Sequence, residues 1–226
     1  MPEPINAKVA SLIRQANSSA AKGNYAEAQA LATQAVESAT NTFHKPSQTA
    51  AYYTCAMLLW SDEHAPIAKT TEYAQLALDT ATPHTEEYYM ALTLLARVEA
   101  GTGNFERAES LTSELLNSYR RKNRRAGIAD ALRSFGDLAL KQDNLTAAHE
   151  YFEESLALYE NEIDDPINQS GLLLSLGSLA YQEGNLLEAQ RYWETAEKLG
   201  QQNKHQQIID YAQQALAILT SPANNE

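Results

Sequence analysis

Apolar residues along this chain recur every three or four positions in short blocks, and polar punctuation separates the blocks at regular intervals. From Ile5 to Ala21 they fall at Ile5, Val9, Leu12, Ile13, Ala16 and Ala20, the spacing of one helix face. A second block, Tyr25 to about Asn41, carries Ala28, Ala32, Ala35 and Ala39 on one face, side chains small enough for two helices to approach closely. Between the blocks, Gly23 supplies the left-handed conformation that ends a helix, and Asn24 is placed to cap the next one through its side chain. The pattern predicts a helical hairpin.

That hairpin corner returns. Gly23-Asn24-Tyr25-Ala26-Glu27-Ala28 reappears as Gly103-Asn104-Phe105-Glu106-Arg107-Ala108 and as Gly184-Asn185-Leu186-Leu187-Glu188-Ala189, at separations of 80 and 81 residues. A looser copy, Asp143-Asn144-Leu145-Thr146-Ala147-Ala148, lies 40 residues after Gly103, so the period is about 40 with one corner hidden near residue 65. A fixed period of this length means a stacked array of like units.

Read with that period, the remaining pairs of helices fall at about Ser47–Ser61 with Pro66–Ala81, Thr85–Thr102 with Asn104–Tyr119, Arg125–Gln142 with Asn144–Glu160, and Pro166–Glu183 with Asn185–Leu199. Pro46, Pro66, Pro83 and Pro166 are expected in first turns, where a missing amide hydrogen does no harm. Gly200 is expected to end the tenth helix. A last amphipathic helix, about Asn203–Leu219, carries Ile208, Ala212, Ala215, Leu216 and Leu219 on one stripe, and residues 221–226 read as a disordered tail. The domain reading is one solenoid over residues 1–220, with repeats at about 5–43, 44–82, 83–122, 123–163 and 164–200 and a capping helix at 203–220.

Aligned on the corner, the fourth copy reads Leu132-x-x-Phe135-Gly136-x-x-Ala139, then Asn144-Leu145-x-x-Ala148-x-x-x-Phe152. The fifth reads Leu173-x-x-Leu176-Gly177-x-x-Ala180, then Asn185-Leu186-x-x-Ala189-x-x-x-Trp193-x-x-Ala196. This resembles the tetratricopeptide repeat, over about residues 5–200, with the second copy the most degenerate. The longer period of about 40 to 42 residues is similar to the subclass found in kinesin light chains and bacterial peptide-sensing regulators. The resemblance implies an all-α, right-handed superhelix of about five hairpins plus a C-terminal cap, whose concave groove takes a partner peptide. Those relatives hold the peptide backbone with a ladder of inner-helix asparagines, whereas the inner helices here offer only Asn17 and Asn168.

Composition narrows the partner. The net charge of −12 and pI near 4.9 repel phosphate backbones and anionic lipid, so neither nucleic acid nor membrane is the expected partner. The lone cysteine, Cys55, precludes an internal disulfide and reads as a small core residue. No basic start followed by an apolar run marks a secretory signal and no stretch approaches the roughly 18 apolar residues of a membrane span, so the expected location is the cytoplasm.

If the first helix of each pair lines a concave face, the groove residues are Asn17, Tyr52, Arg97, Arg133, Asp137 and Tyr181, the arginines and tyrosines being interface-anchoring types. The plainer reading makes Tyr52 and Tyr181 packing residues and pairs the arginines with acids. Arg120, Arg121, Lys122, Arg124 and Arg125 gather five of the 17 basic residues in one loop, a docking patch unless the acidic loop Glu160–Asp165 neutralises it. His44, His64 and His84 repeat at 20-residue spacing but fall at opposite ends of helices, so no metal site is expected. Nucleophile elbows, phosphate loops and dinucleotide fingerprints are missing too, so neither catalysis nor a cofactor is expected. The function read from the sequence is a non-enzymatic adaptor binding a protein segment in its groove. The alternatives are a peptide-responsive regulator acting through a partner, and a self-assembling array, with a homodimer through the exposed Ile209, Tyr211 and Ile218 of the terminal helix.

Overall fold

The computed structural model describes residues 4–62 and 65–219. Among them are eleven α-helices: α1 (Ala7–Ala21), α2 (Tyr25–Thr40), α3 (Lys45–Trp60), α4 (Ile67–Thr80), α5 (Glu86–Gly101), α6 (Phe105–Arg121), α7 (Arg125–Lys141), α8 (Leu145–Asn161), α9 (Pro166–Gln182), α10 (Leu186–Gln202) and α11 (Gln206–Leu219). The fold is all-α, as the periodicity predicts. His64 and the expected tail at 221–226 lie outside the described residues.

The hairpin corners are built alike. Gly23, Gly103 and Gly184 adopt φ near +80°, and Asp143 fills the same role at +59°. The turn this makes lets the next amide, that of Asn24, Asn104, Asn144 or Asn185, bond to the carbonyl five residues back, on Ser19, Glu99, Ala139 or Ala180, at 2.8–2.9 Å. An orphan helix-end carbonyl is thereby satisfied. The side chains of the asparagines do less than expected. Asn144 caps α8 by accepting from the Ala147 amide, but Asn24 and Asn185 make no side-chain cap, and Asn104 donates to Glu99 instead.

Two further expectations are corrected. Pro46 and Pro166 stand in first turns, but Pro66 is itself the N-cap of α4 and Pro83 precedes Thr85, the N-cap of α5. Gly200 does not end a helix: α10 continues to Gln202, and the left-handed residue is Lys204. Gly200 is buried, and a Cβ there would meet Ile208 Cγ2 at 3.0 Å, so its lack of a side chain admits α11.

The chain divides into two compact units, Met1–Thr112 and Ser113–Glu226. In the first, α1/α2 and α3/α4 form hairpins and α5 packs on α3 and α4. Its core is fine-grained. Ala28, Ala32, Ala35 and Ala39 of α2 are all buried, as are Val9, Ala16 and Ala51, while Tyr89 and the leucines of α5 supply the larger groups. Trp60 lies over Gly101, where a Cβ would come within 2.4 Å of the indole. At the other end, Ser47 Oγ accepts from the Asn6 amide at 2.9 Å and meets His44 Nδ1 at 2.7 Å, joining the starts of α1 and α3.

The second unit packs α7/α8 and α9/α10 as hairpins, with α11 against α10 and α9. Its core is built of larger groups: Leu132, Phe152, Leu172, Leu176 and Trp193 are buried. Ile208 and Ala212 of α11 are buried, whereas Tyr211 and Ile218 remain 53% and 47% exposed.

Candidate functional site

Inner-helix residues of the first unit have divergent surroundings. Asn17 is exposed on α1, and Arg97 is exposed on α5, close enough to Tyr53 for its charge to oppose the upward push that burial gives that phenol. Tyr52 is half-buried, its ring stacked on Tyr73 of its own repeat at 6.1 Å and its hydroxyl 3.4 Å from Thr40 Oγ1 of the preceding one, so it is a packing residue. Cys55 is buried, and desolvation pushes its thiol up to about 12 against a small opposing effect of Lys69. A thiolate is the reactive form, so the native protein is expected to resist a neutral-pH thiol reagent and to react at a free-thiol rate only once unfolded. Rapid labelling of the native chain would contradict this assignment.

A buried carboxylate was not foreseen. Glu99, 6% exposed, receives Arg107 Nε at 2.9 Å and Asn104 Nδ2 at 2.9 Å, and Arg107 also donates to Gln75. One period later the same position holds Ala139 and then Ala180. The available clue was an acid where the first copy has Ser19 and the two later ones have alanine. With two donors satisfying it, Glu99 braces the α5–α6 corner.

In the second unit, one of the expected residues sits in a polar cluster. Arg133 of α7 is half-buried; its Nε is buried and makes no hydrogen bond within the chain. Its guanidinium lies beside Gly171 of α9, where an added Cβ would come 3.0 Å from Nη1. One turn back on α7, Asp130 accepts from the Tyr159 hydroxyl at 3.0 Å. Burial raises the Asp130 pKa, while Arg133 and the Tyr159 hydrogen bond pull it down and Asp165 pushes it up. Asp165 in turn caps α9 through Asn168. Asp130, Tyr159 and Gly171 escaped the sequence reading, although Asp130 stands three residues from Arg133, the spacing of a shared helix face.

The sign of this shift yields a prediction. A carboxyl with a folded pKa above its unfolded value favours the folded state most when protonated, so its contribution falls as pH rises from about 4 through the folded pKa. Asp130→Asn, which can still accept from Tyr159, is expected to flatten the melting temperature profile in that window and to be at least as stable at pH 7. A melting profile parallel to that of the unsubstituted chain would contradict it.

Asp137 is half-buried on α7, and Tyr181 packs against Trp193 with ring centroids 6.0 Å apart. The basic loop is partly engaged. Arg125 Nε meets Glu162 of the acidic loop at 2.9 Å, Arg120 meets Glu154 of α8 at 3.4 Å, Arg121 donates to Ser118 Oγ, and Arg124 lies over the Tyr119 ring. Lys122 is exposed. These pairs are half-exposed, so each is worth at most about 1 kcal/mol.

Among the described residues no three His, Cys, Asp or Glu side chains converge as a metal site, and no helix is long and apolar enough to cross a membrane. Residues 88–161 match the tetratricopeptide repeat family model. The fold is similar to BtubC (BKLC) from P. vanneervenii, with a TM-score of 0.65 and 21% identity over 87% of this chain and 83% of that one. It is likewise similar to the nearly identical TPR-like repeats of a putative kinesin light chain from Podosopora anserina, with a TM-score of 0.67 and 15% identity over 87% and 96% of the two chains. A Rap protein complexed with competence and sporulation factor gives 0.75 and 13% identity, covering 97% of this chain and 66% of that one. No curated protein sequence matches significantly. Residues 88–161 thus match tetratricopeptide repeats, and the all-α hairpin fold of the described residues is similar to that of solved proteins with such repeats.

Proposed function

We propose that the chain is a non-enzymatic adaptor that binds a segment of another protein on the inner helices of its repeats. The observation that carries this is Arg133: a half-buried guanidinium with a buried, unpartnered Nε, facing a glycine on the next inner helix. Arginine presents a planar fork suited to carboxylates and backbone carbonyls, and a desolvated donor gains more from a partner than one in water. Arg97 is an exposed inner-helix cation of the first unit, on α5 at the position equivalent to Asp137, one turn beyond that of Arg133. Affinity capture with mass spectrometry tests the reading. Arg97→Glu with Arg133→Glu is expected to lose the specific partners while keeping the native circular dichroism spectrum. Unchanged recovery of those partners would overturn the proposal.

The Rap neighbour, solved in complex with competence and sporulation factor, supports a second reading in which a bound peptide changes the dimensions of the array and the output passes through another protein. Small-angle scattering with and without a captured peptide tests it; identical profiles at saturation would exclude it.

A further inference from the structure

Two exposed apolar side chains are unlike their counterparts elsewhere in the chain. Phe43, between α2 and α3, is 88% exposed and adopts φ +51°. Left-handed backbone suits glycine and asparagine and penalises a bulky side chain. Phe43 therefore carries a conformational cost and buries almost none of its ring in return. The other inter-repeat loops that use this conformation place His84, Asn123 and Lys204 there, all polar. Leu187, at the second position of α10, is 81% exposed. The equivalent positions of α2, α6 and α8 hold Ala26, Glu106 and Thr146.

The flanking charges of the two sites are opposite. Segments 4–8 and 41–49, joined by the Asn6–Ser47 hydrogen bond, contain Lys8 and Lys45 and no acid, in a chain of net charge −12, and Ile5 in the first of them is exposed too. Around Leu187 stand half-exposed Leu186, two exposed acids, Glu183 and Glu188, and one exposed cation a turn further on, Arg191, so the local charge is net negative. An aromatic knob bordered by lysines and a leucine pair bordered by glutamates satisfy the requirements of one interface: apolar contact at the centre and opposite charges at the rim.

We propose that Phe43 of one copy docks against Leu186 and Leu187 of a second copy, so that the chain associates head to tail. The partner is another molecule of this chain, and the surface is separate from both the inner helices and the terminal helix. Each copy carries both halves, so the contact is heterologous and adds copies successively unless a ring closes. The patch is small, which makes the association weak and concentration-dependent. Its rim is ionic, so salt weakens it.

The test uses the full chain and two substitutions taken from its own equivalent positions, Phe43→Asn and Leu187→Thr. Sedimentation velocity from micromolar to millimolar concentration is expected to show a weight-average mass that rises for the unsubstituted chain and stays monomeric for either variant. Because asparagine tolerates the left-handed conformation, Phe43→Asn is expected to melt no lower than the unsubstituted chain, which separates lost association from lost folding. An equimolar mixture of the two variants rebuilds one intact interface and is expected to form dimers and stop there. A chain monomeric at millimolar concentration would overturn the proposal, and so would a Leu187→Thr variant that still associates through Phe43. Phe43-dependent pelleting of a monomeric chain with phosphatidylcholine–phosphatidylserine vesicles would overturn it too, assigning the knob to lipid.

Discussion

Truncating Phe152 to alanine is expected to cost about 3–5 kcal/mol of unfolding free energy, a large share of what holds a domain of this size together. Phe152 is fully buried in α8 within a cluster that includes Ala129, Ala148, Tyr159, Leu172 and Leu176. Its ring lies close against α7 at Gly136, where a Cβ would come 2.3 Å from Cε1 and 2.4 Å from Cδ1. Gly136 and the alanines of that cluster have no side-chain atoms to move into the space it would leave. The void therefore stays open, and the penalty falls at the large end of the range for aromatic truncations. Urea denaturation followed by circular dichroism measures it. A loss below about 1 kcal/mol would show that α7 and α8 close over the gap, contrary to this packing.

Gly177→Ala is expected to destabilise by about 3 kcal/mol, the upper end for overpacking. On a solvent-facing helix the same change would stabilise by up to about 1 kcal/mol, so the sign decides. A Cβ at position 177 would stand 2.2 Å from Trp193 Nε1. The indole cannot easily withdraw, because its Nε1–H donates to the Leu174 carbonyl at 3.2 Å and its ring is buried against Ala180 and Ala189. Coupling identifies the cause: in a Trp193→Leu background the penalty of the alanine is expected to disappear. An equal penalty in both backgrounds would place the strain elsewhere.

These two pairs also explain why the repeat was readable. Gly136 with Phe152 and Gly177 with Trp193 are a small residue on one helix answered by a large ring on its partner. One period earlier the same positions hold Ala96 and Thr112, both buried, with the size divided more evenly. Such complementary sizes recur because like units stack in the same way, so a single sequence carries the pattern several times over. The corners were legible for a related reason: positive φ at Gly23, Gly103 and Gly184 is a local demand, met by a local residue.

Gly200 shows where that reasoning stops. A glycine that ends a helix and a glycine that admits a neighbouring helix look identical in sequence, and only Ile208 against Gly200 distinguishes them. Asn24 was read as a side-chain cap, yet the element common to the corners is a bond from the backbone amide, and a backbone bond leaves no mark on residue type.

The sequence by itself determined the helix pairs, their period, their corners and the all-α repeat class, because these follow from interactions between residues close along the chain or repeated at a fixed offset. Only the tertiary structure decided that Tyr52 and Tyr181 pack against Tyr73 and Trp193, that Glu99 is buried with Arg107, and that Arg133 faces Gly171 beside Asp130 and Tyr159. Exposure at Phe43 and Leu187 was decided there as well. The environment of a side chain is set by groups from other helices, tens of residues away in sequence, and a polar or apolar residue type says what it can do without saying what it meets.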